Sequence, residues 1–198
     1  MTQWKIIETN DKKNLHWAEK SEQISKMEDV MHVVNIYPEV KYQKFRGFGG
    51  AFTEASAHNY AGMSEKTRQE FQKAYFSAEG LNYNLGRIHM NSCDFALGNY
   101  DYLAPGDETL ESFDISHDRK EIIPMIHDAQ KNAAEPMEFL VSPWSPPAFM
   151  KTNGEMNHGG SLKKKYYDLW ARYFAKFIHE YEKEGIEIGY LTVQNEPQ

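Results

Sequence analysis

The sequence predicts an α/β fold of parallel strands and helices, and two observations favour a closed (β/α)8 barrel of which about half is present. Strand-like and helix-like segments alternate from residue 45 onward, as expected for parallel strands joined by crossover helices. A doubly wound sheet would alternate in the same way, but no G-x-G-x-x-G loop opens a helix, and the nearest candidate, Gly47 to Gly50, lacks that spacing. A barrel needs roughly 250 residues, whereas about 150 follow residue 44.

The first 44 residues differ from the rest and are expected to belong to a separate domain. They are polar and rich in charge, with one apolar stretch from Val30 to Tyr37 that ends at Pro38 and suits an extended strand. The expected division is therefore 1–44 and 45–198.

The second segment shows helix caps and apolar periodicities that define its elements in order. These are a strand around Phe45, a helix from Ser64 to Tyr75, a strand from Leu81 to Met90, a helix capped by Ser116, a strand from Met137 to Val141, a helix capped by Ser161, and a strand from Ile186 to Gln194. Pro124 is expected to kink the second helix. The third helix is the clearest, because its aromatic and aliphatic residues recur at spacings of three and four.

Composition restricts the partners and the chemistry. A net charge of −7 argues against nucleic acid and anionic membrane as partners, but not against a neutral substrate. Cys93 is the single cysteine and the histidines lack metal-ligand spacing, so no disulfide, metal or cofactor is expected. The N-terminus has no signal-peptide pattern and no apolar run has the length of a membrane helix, so we expect a cytoplasmic location without stable membrane insertion.

Candidate site residues follow the predicted strands, because the reacting groups of such barrels lie at the C-terminal ends of the strands. Glu196 is either a solvated or ion-paired carboxylate or a general acid in partly apolar surroundings near Trp144; Asn195 beside it can bind a sugar hydroxyl. Asp94 either pairs with Arg87 of the preceding strand or grips sugar hydroxyls. Trp144 lies between prolines and either packs in the core or forms a platform for a sugar ring.

Four motifs, taken in order, resemble the glycoside hydrolases of family 30. They are FRGFGGAFTEASA, RIHMNSCDF, SPWSPPAFMKTNGEMNHGGSLK and VQNEP, and the similarity runs from about Lys44 to Gln198. The residues of the SCDF and KTNG motifs resemble those of the glucosylceramidase-like and β-1,6-glucanase-like branches of the family. The resemblance implies a retaining β-glycosidase on an eight-stranded barrel, with a β-sandwich side domain to which residues 1–44 contribute.

The resemblance also implies roles for individual residues. Glu196 matches the family's acid/base at the end of the fourth strand, and Asn195 matches a residue that contacts the substrate. Asp94 and Trp144 match glycone-binding positions, and Arg87 matches an arginine of the second strand. The family's nucleophile is a second glutamate on the seventh strand, and this sequence has no residue there.

We therefore expect a β-linked glucoside or glucan as substrate and expect the chain to be one part of a longer enzyme, separated from the C-terminal half of the same protein. Because a retaining mechanism needs two carboxyl groups, the polypeptide alone is expected to be inactive and, with an open sheet edge, prone to aggregate. One alternative is a short protein that binds sugar without catalysis or needs an assembly partner. A second alternative is a metal-dependent or nucleotide enzyme of the doubly wound type. For a glycosidase, the alternative substrates are a β-1,6-glucan and glycosides that contain xylose or fucose.

Overall fold

The computed structural model describes residues 5–20 and 34–197, and the chain divides into two units, residues 1–44 and residues 45–198. The first unit contains an antiparallel hairpin formed by β1 (Ile6–Asn10) and β2 (Leu15–Lys20). The turn between them is a short 3-10 helix, Asp11–Lys13. Asn10 accepts a hydrogen bond from the Lys13 N–H at 3.3 Å, and Asn14 closes the turn in the left-handed conformation, which asparagine tolerates.

The strand expected from Val30 to Tyr37 is not confirmed. Val30 to Val33 lie outside the described residues, and Val34 to Tyr37 do not form a strand. The contribution of residues 1–44 to a β-sandwich stays a prediction.

Within the described part of the second unit, four strands alternate with α-helices. The elements are β3 (Gly49–Phe52), α1 (Glu54–Ala61), α2 (Glu65–Phe76), β4 (Leu85–Met90), α3 (Ile122–Asn132), β5 (Glu138–Pro143), α4 (Tyr167–Lys183) and β6 (Ile188–Leu191). Among the described residues, no helix combines the length and the apolar character that a membrane span requires.

The four strands form one parallel sheet in the order β3-β4-β5-β6, with Gly49 beside Leu85, Leu85 beside Glu138 and Phe139 beside Ile188. Each strand is added next to its predecessor, whereas a doubly wound sheet reverses its order at a switch point. The sheet is therefore part of a (β/α)8 barrel, as predicted.

The helices cover one face of this sheet and leave the other face exposed. Ile88, Phe139 and Val141 point into a core that includes Tyr173 and Phe177, and all five side chains are fully buried. The opposite face carries exposed or half-buried residues from the same strands, among them Ala51, Leu140 and Tyr190. This second face is the inner face of the barrel, and below it is called the inner face.

The first strand lies later than predicted, since the glycines expected in the loop after it belong to β3 itself. A Cβ atom on Gly49 would come within 1.8 Å of the Leu85 carbonyl oxygen. Glycine is thus required where β3 approaches β4. The glycines, which are typical of a turn, therefore lie in a strand here.

Two predicted helix caps are wrong. Ser116 donates its N–H to Asp114 in a loop, and α3 begins six residues later at Ile122. Ser161 exchanges hydrogen bonds with Thr152, of 2.8 and 2.9 Å, and α4 begins at Tyr167 after a 3-10 turn.

The predicted kink at Pro124 is also wrong, because α3 starts at Ile122 and Pro124 lies in its first turn. Backbone N–H groups in a first turn have no partner within the helix, so proline removes no hydrogen bond there. By contrast, Ser64 caps α2 as predicted, accepting the Thr67 N–H at 3.2 Å.

Candidate active site

Side chains from β4, from β5 and from the segment after β6 meet at the carboxyl end of the inner face. The Arg87 guanidinium, on β4, donates to Asn195 Oδ1 at 2.6 Å and to Ser142 Oγ, on β5, at 3.0 Å. Ser142 Oγ is in turn 2.5 Å from the hydroxyl of Thr192, which follows β6. A single arginine therefore holds the amide of Asn195 in a defined orientation.

The loop after β5 joins the same group through Trp144. The Arg87 guanidinium carbon lies 4.7 Å from the centre of a Trp144 ring, within the range of a cation–π contact. The Asn195 N–H donates to the Pro143 carbonyl at 2.8 Å, and the Gln194 amide reaches the Trp144 carbonyl at 3.4 Å. The chain after β6 is thus held against the chain after β5.

Glu196 follows Asn195 directly, and its carboxylate is exposed. The residue has a left-handed backbone, with φ of 45°, which is uncommon for residues other than glycine and asparagine. Within the described residues its carboxylate has no hydrogen bond or ion-pair partner. The enclosed surroundings beside Trp144 that were expected for this carboxyl group are not formed by these residues.

Asp94 lies on the loop after β4 and is also exposed. It does not pair with Arg87 in the described structure, so the ion-pair interpretation of these two residues is wrong. Asp94 and Trp144 instead line the same cleft of about 430 Å³, together with Asn99 and Met156. Of the five predicted site residues, the structure brings Arg87, Asn195 and Trp144 into contact.

Cys93 also lines this cleft, but burial raises the pKa of its thiol to about 11. A thiol in this state is protonated near neutral pH and is a poor nucleophile. No group of three or more potential metal-ligating side chains occurs in the part of the chain that the structure describes.

Glu54, at the start of α1, is a buried carboxylate whose role the sequence did not reveal. It is 6% exposed, accepts the Leu97 N–H at 2.8 Å, and is 2.5 Å from His117 Nε2. Its own N–H donates to His89 Nε2 at 3.1 Å. Because these partners lie 35 to 63 residues away, only its position after a predicted strand could have drawn attention to it.

The KTNG motif organises the loop that forms one wall of the cleft. The buried Lys151 donates its ammonium to the Met156 carbonyl at 2.8 Å, and burial lowers its pKa. The Asn153 amide donates to the carbonyls of Asn157 and Gly159 at 3.0 and 3.1 Å. These bonds give the loop a fixed shape next to Trp144.

The inner face continues below this site as an open apolar hollow of about 710 Å³. Leu85, Leu140, Tyr190 and Leu191 line it. At its lower end Glu138 pairs with Arg46 and accepts the Tyr190 hydroxyl at 2.7 Å. The polar groups of the inner face are thus concentrated at its two ends.

Taken together, the carboxyl end of the sheet offers two free carboxylates, an oriented amide and an aromatic face. These groups suit a neutral ligand rich in hydroxyl groups, which can donate to the carboxylates and stack on the ring. An exposed carboxylate beside the amide can also exchange a proton with a bound ligand.

A model of a known protein family matches the second unit of the chain. Residues 45–198 match the model of the glycosyl hydrolase family 30 TIM-barrel domain. Mouse lysosomal acid glucosylceramidase is 40% identical over 171 residues, covering 83% of this chain and 33% of the relative. This chain thus spans about a third of the length of the curated relatives it matches.

Solved structures show the same similarity. SrfJ from Salmonella typhimurium has a TM-score of 0.85 and 38% identity, with 96% of this chain and 43% of that chain covered. An endo-β1,6-glucanase has a TM-score of 0.76 and 26% identity, over 93% of this chain and 40% of the other.

Proposed function

This chain belongs to glycosyl hydrolase family 30, and from that premise we propose that the protein containing it is a retaining β-glycosidase acting on β-glucosides. The observation that carries the proposal is the contact of Arg87 with Asn195, which fixes the residue next to Glu196 at the end of the fourth barrel strand. Asp94 and Trp144, on the adjoining cleft, complete a surface suited to a sugar ring.

In the proposed reaction Glu196 acts as the acid and then as the base. A second carboxylate attacks the anomeric carbon while the bond to the aglycone oxygen breaks, and Glu196 gives its proton to that oxygen. Water then attacks the anomeric carbon, Glu196 takes the proton from the water, and the bond to the nucleophilic carboxylate breaks. The sugar leaves with its original anomeric configuration.

The nucleophile of this reaction must lie about 5–5.5 Å from the acid/base carboxyl group. We propose that it is supplied by a part of the protein outside these 198 residues, on the missing half of the barrel. Support comes from the length of the relatives, of which this chain covers about a third, and from the exposed inner face, which a complete barrel would enclose.

The proposed substrate is a β-glucoside, with a glucosylceramide-like lipid or a β-1,6-glucan as the two alternatives for the rest of the molecule. The first follows from the 40% identity with a glucosylceramidase, and the second from the likeness to an endo-β1,6-glucanase. Hydrolysis rates on the two substrates, measured side by side, decide between them.

The role of Glu196 is tested by Glu196→Gln in the complete product of the gene. General acid catalysis contributes about 10²–10⁴-fold, and it matters most for a leaving group that needs a proton. We expect kcat/KM to fall at least about 100-fold for an alkyl β-glucoside, but far less for a dinitrophenyl β-glucoside, whose leaving group is stable as an anion.

A suitable control is Glu79→Gln, since Glu79 is an exposed carboxylate after α2, outside the cleft, that pairs with Lys73. It should leave both rates unchanged. Equal losses on both substrates for Glu196→Gln, or no loss, would contradict the acid/base role. NMR of the first-formed product tests retention, and an α-configured sugar would refute that part of the proposal.

Binding without catalysis is the remaining candidate. It predicts that the complete protein binds glucosides, turns none over, and binds equally well after Glu196→Gln.

A further inference from the structure

Asn91 lies where two loops that line the cleft, the loop after β4 and the loop after β5, are joined by a hydrogen bond. It follows β4 directly, is fully buried, and has a left-handed backbone with φ of 63°. Asparagine and glycine are the residues that adopt this conformation most readily. The sequence motif MNSCDF includes Asn91, but the proposed chemistry assigns it no role.

All four polar parts of Asn91 are engaged. Its N–H donates to the Tyr102 hydroxyl at 3.3 Å, and its carbonyl accepts from His89 Nδ1 at 2.6 Å. Its side-chain NH2 donates to the Ser145 carbonyl at 2.9 Å, and its side-chain oxygen accepts from the Tyr173 hydroxyl. Buried amides bound in this way have one orientation, because any rotation leaves a donor or acceptor unsatisfied.

The hydrogen bond to Ser145 joins two loops that line the cleft. Asp94 lies three residues after Asn91, and Ser145 comes directly after Trp144. The side chain of Asn91 therefore connects the loop that carries Asp94 to the loop that carries Trp144.

The far end of the Asp94 loop is held as well. The Leu97 N–H binds Glu54 at 2.8 Å, and the Phe95 carbonyl accepts the Ala55 N–H at 2.9 Å. The loop is thus fixed at both ends, whereas the carboxylate of Asp94 is exposed and has no hydrogen bond within the described residues. A free carboxylate on a fixed loop is preorganised for a ligand.

From this arrangement we propose that Asn91 is a positioning residue that sets the separation of Asp94 and Trp144 and so determines the affinity for the sugar ring. The proposal deepens the proposed function and rests on it. Asn91 does not touch the ligand itself; it acts through the Ser145 carbonyl on one loop and through its own backbone on the other.

The test is Asn91→Gly in the complete gene product. Glycine keeps the left-handed backbone but removes the bonds to Ser145 and Tyr173. A displacement of about 1 Å in a binding group can cost on the order of 100-fold in rate. We expect kcat/KM for an aryl β-glucoside to fall roughly 10- to 100-fold, mainly through a higher KM, and the Kd for glucose to rise in parallel.

Asn82→Gly is the matched control. Asn82 is another left-handed asparagine, with φ of 52°, but it is exposed and makes no side-chain hydrogen bond within the described residues. It should leave KM and Kd unchanged. If Asn91→Gly does not fold, Tyr173→Phe takes its place. It keeps the ring but removes the bond to Asn91 and the bond that the Tyr173 hydroxyl accepts from the Tyr102 N–H at 3.0 Å. It should raise KM roughly 3- to 10-fold.

The outcomes separate the two proposals. Wild-type turnover with an unchanged KM and Kd in Asn91→Gly and Tyr173→Phe overturns the positioning role and leaves the glycosidase standing. Wild-type protein that binds glucose without any turnover refutes the glycosidase, while a weaker Kd in Asn91→Gly than in Asn82→Gly still supports the positioning role. A wild type that neither binds glucose nor hydrolyses a β-glucoside overturns both.

Discussion

Replacing Arg87 with lysine is expected to impair the site while preserving its charge. The guanidinium donates to Asn195 and Ser142 and lies over Trp144. A lysine ammonium is a point charge on a flexible stem, and it cannot serve both acceptors while stacking on the ring. Asn195 would then lose its fixed orientation beside Glu196.

The magnitude follows from the hydrogen bonds and the ring stacking that lysine cannot reproduce. A hydrogen bond from a charged donor is worth about 1.5–3 kcal/mol when buried, and half-burial of Arg87 reduces this to about 1 kcal/mol each. The cation–π contact adds about 0.5–1 kcal/mol. If lysine keeps one of the two hydrogen bonds, the net loss is about 1.5–2 kcal/mol, or roughly 10- to 30-fold in kcat/KM.

The assay is kcat/KM of the complete protein on an aryl β-glucoside, with Arg46→Lys as control. Arg46 is also an arginine at the inner face, but it pairs with Glu138 at the opposite end of the strands. In barrels that end serves stability, and the carboxyl end serves chemistry. Arg87→Lys within about threefold of wild type, or an equal loss in Arg46→Lys, would refute the reasoning.

Two further predictions concern stability and assembly. Burial raises the pKa of Asp118 even though the hydroxyls of Tyr100, Tyr102 and Tyr181 donate to its carboxylate. The folded state thus keeps the proton to a higher pH than the unfolded state. Denaturation should show wild type losing stability relative to Asp118→Asn as the pH rises above about 4, the pKa of an aspartate in the unfolded chain. A difference independent of pH would contradict this. The isolated 198-residue chain, with Leu191 51% exposed at the edge of its apolar hollow, should self-associate in light scattering and hydrolyse no β-glucoside; a monomer with turnover would refute both parts.

The order of strands and helices in the barrel segment followed from local sequence patterns. Apolar periodicity located α4, and the cap at Ser64 located α2, because both signals depend on residues within a few positions of each other. The predictions at Ser116 and Ser161 failed because those serines are engaged by loop residues. A serine before an apolar helix pattern cannot reveal such competing partners.

The candidate site was predictable as a location but not as an arrangement. The sequence indicated the carboxyl ends of the strands as the location, and in the structure Arg87, Trp144 and Asn195 meet there. The sequence did not reveal that Arg87 binds Asn195 instead of Asp94, since that contact spans 108 residues. The same holds for Asn91, whose partner Tyr173 is 82 residues away on α4.

The sequence separation between Asn91 and Tyr173 affects how the protein folds during its synthesis. Asn91 and Asp118 receive hydroxyl donors from Tyr173 and Tyr181, which are synthesised 82 and 63 residues after them. At roughly 5–20 residues per second, on the order of 4–16 seconds pass between the synthesis of Asn91 and that of Tyr173. During this time α4 is not yet present to complete the hydrogen bonds of the loop after β4. Until then its buried polar groups remain hydrated, so the loop that carries Asp94 should be protease-sensitive in nascent chains that stop before residue 173 and protected once α4 has emerged.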